Sequence, residues 1–186
     1  MSIKDSIAEL KCAMQAENID PVIGLGDELF MFASTLMPVI NVDLLTTNSK
    51  GEFLPAWRDD PHCGLGWHVP GGCIRLTETL ETRIQKTALA ELGTEVGFDP
   101  APFGVYEIFS KEHRDGIDDQ RERAHFITIA YHCTVPDDYV ISPERSKPGT
   151  VGHLKWFTEL PDNLLKVQHC YRDNWDEIKN KIWRNK

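Results

Sequence analysis

The chain has 186 residues, 41% of them hydrophobic and 26% charged, with 20 Lys+Arg against 29 Asp+Glu and a formal net charge of −9. This length and composition suit one domain with its own apolar core and exclude a disordered chain. The acidic balance excludes a broad nucleic-acid or anionic-membrane surface, which clustered cations would have to supply, and leaves room only for a local basic pocket.

Residues 3–16 place Ile3, Ile7, Leu10 and Met14 at helical spacing, so an amphipathic helix is expected, stopped by Asn18, Asp20 and Pro21. Asp5 and Glu9 fall where a signal peptide would need an apolar run, and a cytoplasmic protein is expected. A second helix is expected over 29–37. The uncharged stretch 29–42 carries Ser34, Thr35, Pro38 and Asn41 and is shorter than the roughly 20 apolar residues of a bilayer span. Next come a strand over 39–45, a turn at Asn48-Ser49-Lys50-Gly51 and a returning strand over 52–57, read as a β-hairpin. Residues 59–66 read as a loop and 67–70 as a short strand that delivers Gly71-Gly72.

From 77 to 92 the pattern becomes helical, with Leu80, Ile84, Ala88 and Leu92 in one stripe and Gly93 at its end. Strands over 104–110 and 124–135 flank the charged segment 111–123, a loop of the kind that covers substrates. A loop over 140–151, a last strand over 153–157 and a terminal helix over 171–184 complete the chain. No repeat or interdomain linker interrupts it. The expectation is an α+β fold, an α/β/α sandwich with a mixed sheet, in which 1–37 is an extension, 38–158 the core and 159–186 a C-terminal helical segment. The five cysteines, Cys12, Cys63, Cys73, Cys133 and Cys170, include no CxxC pair, so neither a disulfide framework nor a zinc knuckle is expected.

Residues 69–93 carry the chemistry. A strand brings a diglycine whose backbone can approach a ligand, Glu78 stands near a helix start, and Glu91 lies on that helix's last turn, off its apolar stripe. Carboxylate plus exposed backbone carbonyl suits Mg²⁺, which keeps positions for water and substrate phosphates. Asp43 interrupts an apolar strand, so a partner or ligand is expected for it.

In this stretch the chain resembles the Nudix hydrolases, whose signature is G-x5-E-x7-R-E-U-x-E-E-x-G-U, with U a bulky apolar residue. Gly72, Glu78, Glu91 and Gly93 match in register, Lys86 stands for the arginine, and Thr87, Ala90 and Thr94 depart from it. The departures resemble those of the GDP-mannose mannosyl hydrolase subgroup, as do Val42-Asp43-Leu44, residues 48–54, Arg58 and Glu78-Thr79-Leu80-Glu81. The resemblance spans roughly residues 38–156.

The resemblance implies hydrolysis of a nucleoside-diphosphate sugar at the anomeric carbon, with Mg²⁺ or Mn²⁺ as cofactor. It implies Gly71 (through its carbonyl) and Glu91 as metal ligands, Arg58 on the diphosphate, Asp43 toward sugar or nucleotide, Glu78 behind the metal ligands, and Lys86 and Lys111 near the substrate. Cys73, Lys111, Phe126 and Val151 stand where the subgroup has arginine, histidine, tyrosine and the catalytic histidine. His153 is therefore the expected general base, with His125 and His113 behind it. Attack at phosphorus, and nucleotide binding without turnover, remain the alternatives. The N-terminal helix and the apolar segment 29–37 are the expected surface of a homodimer.

Overall fold

The computed structural model describes residues 1–61, 63–109 and 125–183. Helix α1 (Ile3–Ala16) starts at Ser2, whose hydroxyl accepts from the Asp5 N–H while the Asp5 carboxylate accepts from Ser2, a reciprocal capping box. None of its residues is buried, and Ile3 and Ile7 are 83% and 48% exposed. Helix α2 (Asp27–Ser34) follows Gly26. No helix among the described residues is long and apolar enough to cross a membrane.

The core sheet is mixed. Strand β1 (Val39–Thr47) runs parallel to β7 (His125–Thr134) and antiparallel to β4 (Gly71–Cys73). Strands β5 (Gly97–Phe98) and β6 (Gly104–Phe109) both pair antiparallel with β7. The central parallel pair is covered on both faces, as parallel strands require. Alternation along β1 sends Val42 and Leu44 to one face and Asp43 and Leu45 to the other. The first pair packs on Ile84, Ala88 and Leu92 of α3 (Leu80–Glu91). Leu45 packs on Tyr171, Trp175, Ile178 and Ile182 of the C-terminal helices α4 (His169–Asp173) and α5 (Trp175–Trp183). The result is the expected α/β/α sandwich. Ile84, Ala88 and Leu92 are at most 1% exposed, and each large apolar side chain so placed contributes about 1.5–3 kcal/mol by burial.

Four expectations change. The turn at residues 48–51 forms, with Gly51 N–H donating to the Asn48 carbonyl, but beyond the Thr47–Phe53 bridge the returning chain leaves β1. It becomes β2 (Ala56–Asp60), which pairs with β3 (Gly64–His68) in a separate two-stranded sheet; residues 59–66, expected as loop, therefore belong largely to a hairpin. Gly64, at φ +88°, opens β3 where a side chain would be strained. The expected strand over 153–157 is reduced to the bridges Ala56–Leu154 and Phe53–Phe157. The terminal helix is broken at Asn174, whose side chain donates to the Cys170 carbonyl.

Candidate active site

The site lies where β1, β4, the β2–β3 hairpin and the last turn of α3 meet. Asp43 is opposite Gly71 in the β1–β4 register, and Val42 is opposite Gly72. Both glycines are required by close approach: a Cβ on Gly71 would strike the Asp43 carboxylate, and one on Gly72 would lie 2.5 Å from the Thr87 hydroxyl. The segment before them is held by Gln168, whose amide accepts from the Val69 N–H at 2.7 Å and donates to the Val69 carbonyl at 3.0 Å.

Asp43 is 3% exposed and finds its partners inside the protein. Tyr171 donates to its Oδ2 at 2.7 Å and Gln168 at 3.2 Å. Burial pushes its carboxyl up to about 7, against the opposing pull of Tyr171, Gln168 and Arg58. Asp43, expected toward sugar or nucleotide, pairs here with the C-terminal segment, which no signal in the sequence tied to it.

Glu78 precedes α3, and its side chain is 3% exposed. It accepts from the Arg75 N–H at 3.0 Å and from Arg83 Nε at 2.6 Å, while Lys86 Nζ stands 3.0 Å from its other oxygen. Burial raises its carboxyl, but these donors outweigh burial and hold it below the usual glutamate value. Glu78 therefore fastens the loop before α3, in which Thr77 adopts a left-handed φ of 63°, to the helix itself. Lys86, expected near the substrate, pairs here with Glu78.

Glu91 differs. Its side chain is 29% exposed, and His68 Nε2 lies 3.7 Å from its Oε2. Burial raises its carboxyl, yet the His68 imidazole and the charges of Arg58 and Arg145 outweigh burial and keep it low. The backbone beneath it is clamped. Arg145 donates to the Glu91 and Ala90 carbonyls at 2.5 and 2.6 Å, and Tyr139 donates to the Leu92 carbonyl at 2.8 Å, covering the electronegative end of α3. Gly93, at φ +77°, ends the helix as expected.

Arg58 is on the hairpin face that carries Ala56 and, across the register, His68; its Nε lies 3.4 Å from Asp60. The adjacent cleft, of about 480 Å³, is lined by Arg58, Asp60, Arg75 and, from α2, Asp27, Phe30 and Met31. Part of the N-terminal extension thus walls the site.

His153, the expected base, is 7% exposed, and its ring packs 5.1 Å from that of Trp67. Trp67 alternates with His68 along β3, and Leu154 points into the α3 core, so the His153 ring is on the hairpin face opposite Arg58 and His68. Burial and the Lys155 charge lower its pKa. His125 pairs with Glu107 at 3.2 Å and stacks on Phe109. Lys111 and His113 lie outside the described residues. The histidine that reaches Glu91 is His68, unmarked in the sequence because its place shows only once the hairpin pairs it with Ala56. Arg145 was equally hidden inside an expected loop.

Among the described residues no cluster of three or more His, Cys, Asp or Glu side chains is poised to hold a metal. The donor set nevertheless fits a divalent cation: the Glu91 carboxyl is kept low and is partly open, the close-packed diglycine lies against Thr87 one helical turn before Glu91, and the Thr87 hydroxyl is buried without a hydrogen-bond partner among the described residues. One carboxylate leaves most positions on the ion to backbone oxygen, water and substrate phosphates, the usual arrangement for Mg²⁺.

Residues 37–165 match the family model described as the NUDIX domain, and the chain belongs to the Nudix family. It is 31% identical over 119 residues to the low-salt glycan biosynthesis protein Agl8 of Haloferax volcanii, covering 63% of this chain and 72% of that protein. Among solved structures it resembles a MutT protein from Methanosarcina mazei, with 19% identity, 76% of this chain and 95% of that one covered and a TM-score of 0.55. It also resembles a structure from Jonesia denitrificans described as a possible asymmetric diadenosine tetraphosphate hydrolase, with 19% identity, 74% and 91% coverage and a TM-score of 0.53. At such identities the structural likeness is one of fold.

Proposed function

We propose that this chain is a divalent-metal-dependent hydrolase of a nucleoside-diphosphate sugar, of the GDP-mannose type, releasing the nucleoside diphosphate and the free sugar. The observation that carries this reading is the reduced donor set. Of the acidic positions in the motif, Thr87 and Ala90 are not carboxylates and Glu78 is engaged by Arg83 and Lys86, which leaves Glu91 as the partly open carboxylate, with the charges of Arg58 and Arg145 acting on it. One carboxylate among cations suits neutralising a leaving diphosphate better than gathering the several metal–oxygen contacts that attack at phosphorus calls for. The likeness to a protein named for glycan biosynthesis supports a sugar nucleotide as substrate.

In this reaction the oxygen of water bonds to the anomeric carbon. The bond from that carbon to the diphosphate oxygen breaks with its electron pair going to the diphosphate, and the water proton passes to a base. When bound through Glu91 and Gly71, Mg²⁺ or Mn²⁺ supplies positive charge to the leaving diphosphate. Arg58 and Arg75 add charge-assisted hydrogen bonds to it. Arg145 and Tyr139 hold the last turn of α3 so that Glu91 keeps its direction, and Tyr171 and Gln168 fix Asp43 under Gly71.

Hydrolysis of a panel of nucleoside-diphosphate sugars in ¹⁸O-labelled water tests the reading. Label in the free sugar supports it. Label in a phosphate means attack at phosphorus, and tight nucleotide binding without products means a binding domain; either result overturns it. The proposal includes a homodimer through the exposed apolar face of α1, and light scattering that gives a monomer would remove that part.

A further inference from the structure

We propose that His68 is a ligand of the divalent ion together with Glu91, making the centre a mixed nitrogen and oxygen site that prefers Mn²⁺ to Mg²⁺ more strongly than an all-oxygen site would. This rests on the reading of Glu91 as metal-binding given above.

The orientation of the imidazole follows from one contact. His68 Nδ1 lies 2.8 Å from the Ala56 carbonyl, and a carbonyl only accepts, so Nδ1 carries the hydrogen. With Nε2 unprotonated, the ring presents its lone pair to its other neighbour, the Glu91 Oε2 at 3.7 Å, where a protonated ring pairs with the carboxylate directly. In that form both facing atoms are electron-pair donors, and the spacing is too long for a direct hydrogen bond. Two ligand atoms each about 2.1 Å from one ion lie roughly 3.0–4.2 Å apart between cis and trans placement, so the observed spacing accommodates an ion bound by both. An imidazole whose other nitrogen donates to a backbone carbonyl is the usual form of a metal-ligating histidine, because that bond fixes both tautomer and ring plane.

The surroundings are consistent. The His68 side chain is 6% exposed and Glu91 29%, so the imidazole backs the site and the carboxylate opens it. The ring is held by the hairpin register that places it opposite Ala56, itself fully buried against α3. Imidazole nitrogen is a good ligand for Mn²⁺, Co²⁺ and Zn²⁺ and a poor one for Mg²⁺, which demands oxygen. The site therefore discriminates between metals by ligand type.

The test is electron spin-echo spectroscopy of the full-length protein loaded with Mn²⁺, together with calorimetric titration of Mn²⁺ and Mg²⁺. The expected result is ¹⁴N modulation that becomes ¹⁵N modulation when histidine is ¹⁵N-labelled in the unmutated protein, a readout that needs no variant to fold. It is lost in His68→Gln and kept in His153→Gln. His68→Gln is expected to weaken Mn²⁺ about tenfold or more and Mg²⁺ by less than about threefold. Mn²⁺ that binds in a Glu91-dependent manner with no histidine nitrogen coupling overturns this inference alone. Failure to bind, or binding unchanged in Glu91→Gln, overturns it together with the metal reading of the site.

Discussion

The two ends of α3 each carry a glutamate of the motif, and they do opposite work. At the N-terminal end Glu78 is buried and its charge is answered within the protein by Arg83, Lys86 and the Arg75 N–H. At the C-terminal end Glu91 stands partly open beside His68, which together with Arg58 and Arg145 keeps its carboxyl low, the two arginines acting from a distance or through the backbone. A carboxylate matched by donors on every side is a fastening. One held ionised without close donors on its outer oxygen is available to a ligand.

The largest effect that would sharpen this contrast is on turnover. Glu91→Gln is expected to lower kcat about a thousandfold, roughly 4 kcal/mol of transition-state stabilisation, while melting within about 0.5 kcal/mol of wild type because the residue is partly exposed. Turnover within tenfold of wild type would break the assignment of Glu91 to the metal. Arg58→Ala should follow, with kcat/KM down about a hundredfold, or roughly 2.7 kcal/mol, read from initial rates with a nucleoside-diphosphate sugar.

For Glu78→Gln the comparison predicts the reverse signature, a loss of stability of about 2 kcal/mol in denaturant melts, because Arg83 and the Arg75 N–H lose an ionised acceptor. The pH dependence fixes the sign. The Glu78 carboxyl is held below its usual 4.5 in the folded protein, so its contribution is complete above that pH and disappears as pH falls through the lowered folded value. The gap between wild type and Glu78→Gln should therefore be widest near neutral pH and shrink as pH falls below the usual glutamate value of 4.5 and through the lowered folded one. A gap that widens in acid would refute the fastening role. Lys86→Ala should cost less than about 1 kcal/mol, since that lysine is largely exposed and screened.

Arg145→Ala should cost about 1 kcal/mol of stability for the lost cap, with kcat lowered only several-fold and KM little changed. An unaltered kcat would show that the last turn of α3 keeps Glu91 in place without Arg145.

Where the sequence was informative, the determinants were local. The spacing of Ile3, Ile7, Leu10 and Met14, the four-residue stripe from Leu80 to Leu92 and the stop at Gly93 each act through neighbours within one or two turns, so α1 and α3 were legible to within a few residues. The spacing of Gly72, Glu78 and Glu91 is likewise carried on one strand–loop–helix unit, and its resemblance to the Nudix motif indicated the family and the fold. Non-local pairing was not legible. Nothing between residues 52 and 70 says that β2 should leave β1 for β3, because strand pairing is decided by what the opposing strand offers.

The sequence by itself thus determined the sandwich, the family and the candidate Glu91, because helix periodicity, caps and a fixed-spacing motif are written in contiguous residues. Only the tertiary structure decided which side chains share the site. It enclosed Asp43 between Gly71 and Tyr171, turned His153 toward Trp67, and brought His68 and Arg145 to the last turn of α3. Each of those contacts joins segments far apart in the chain, and their geometry is set by sheet register and helix packing rather than by any neighbour in sequence.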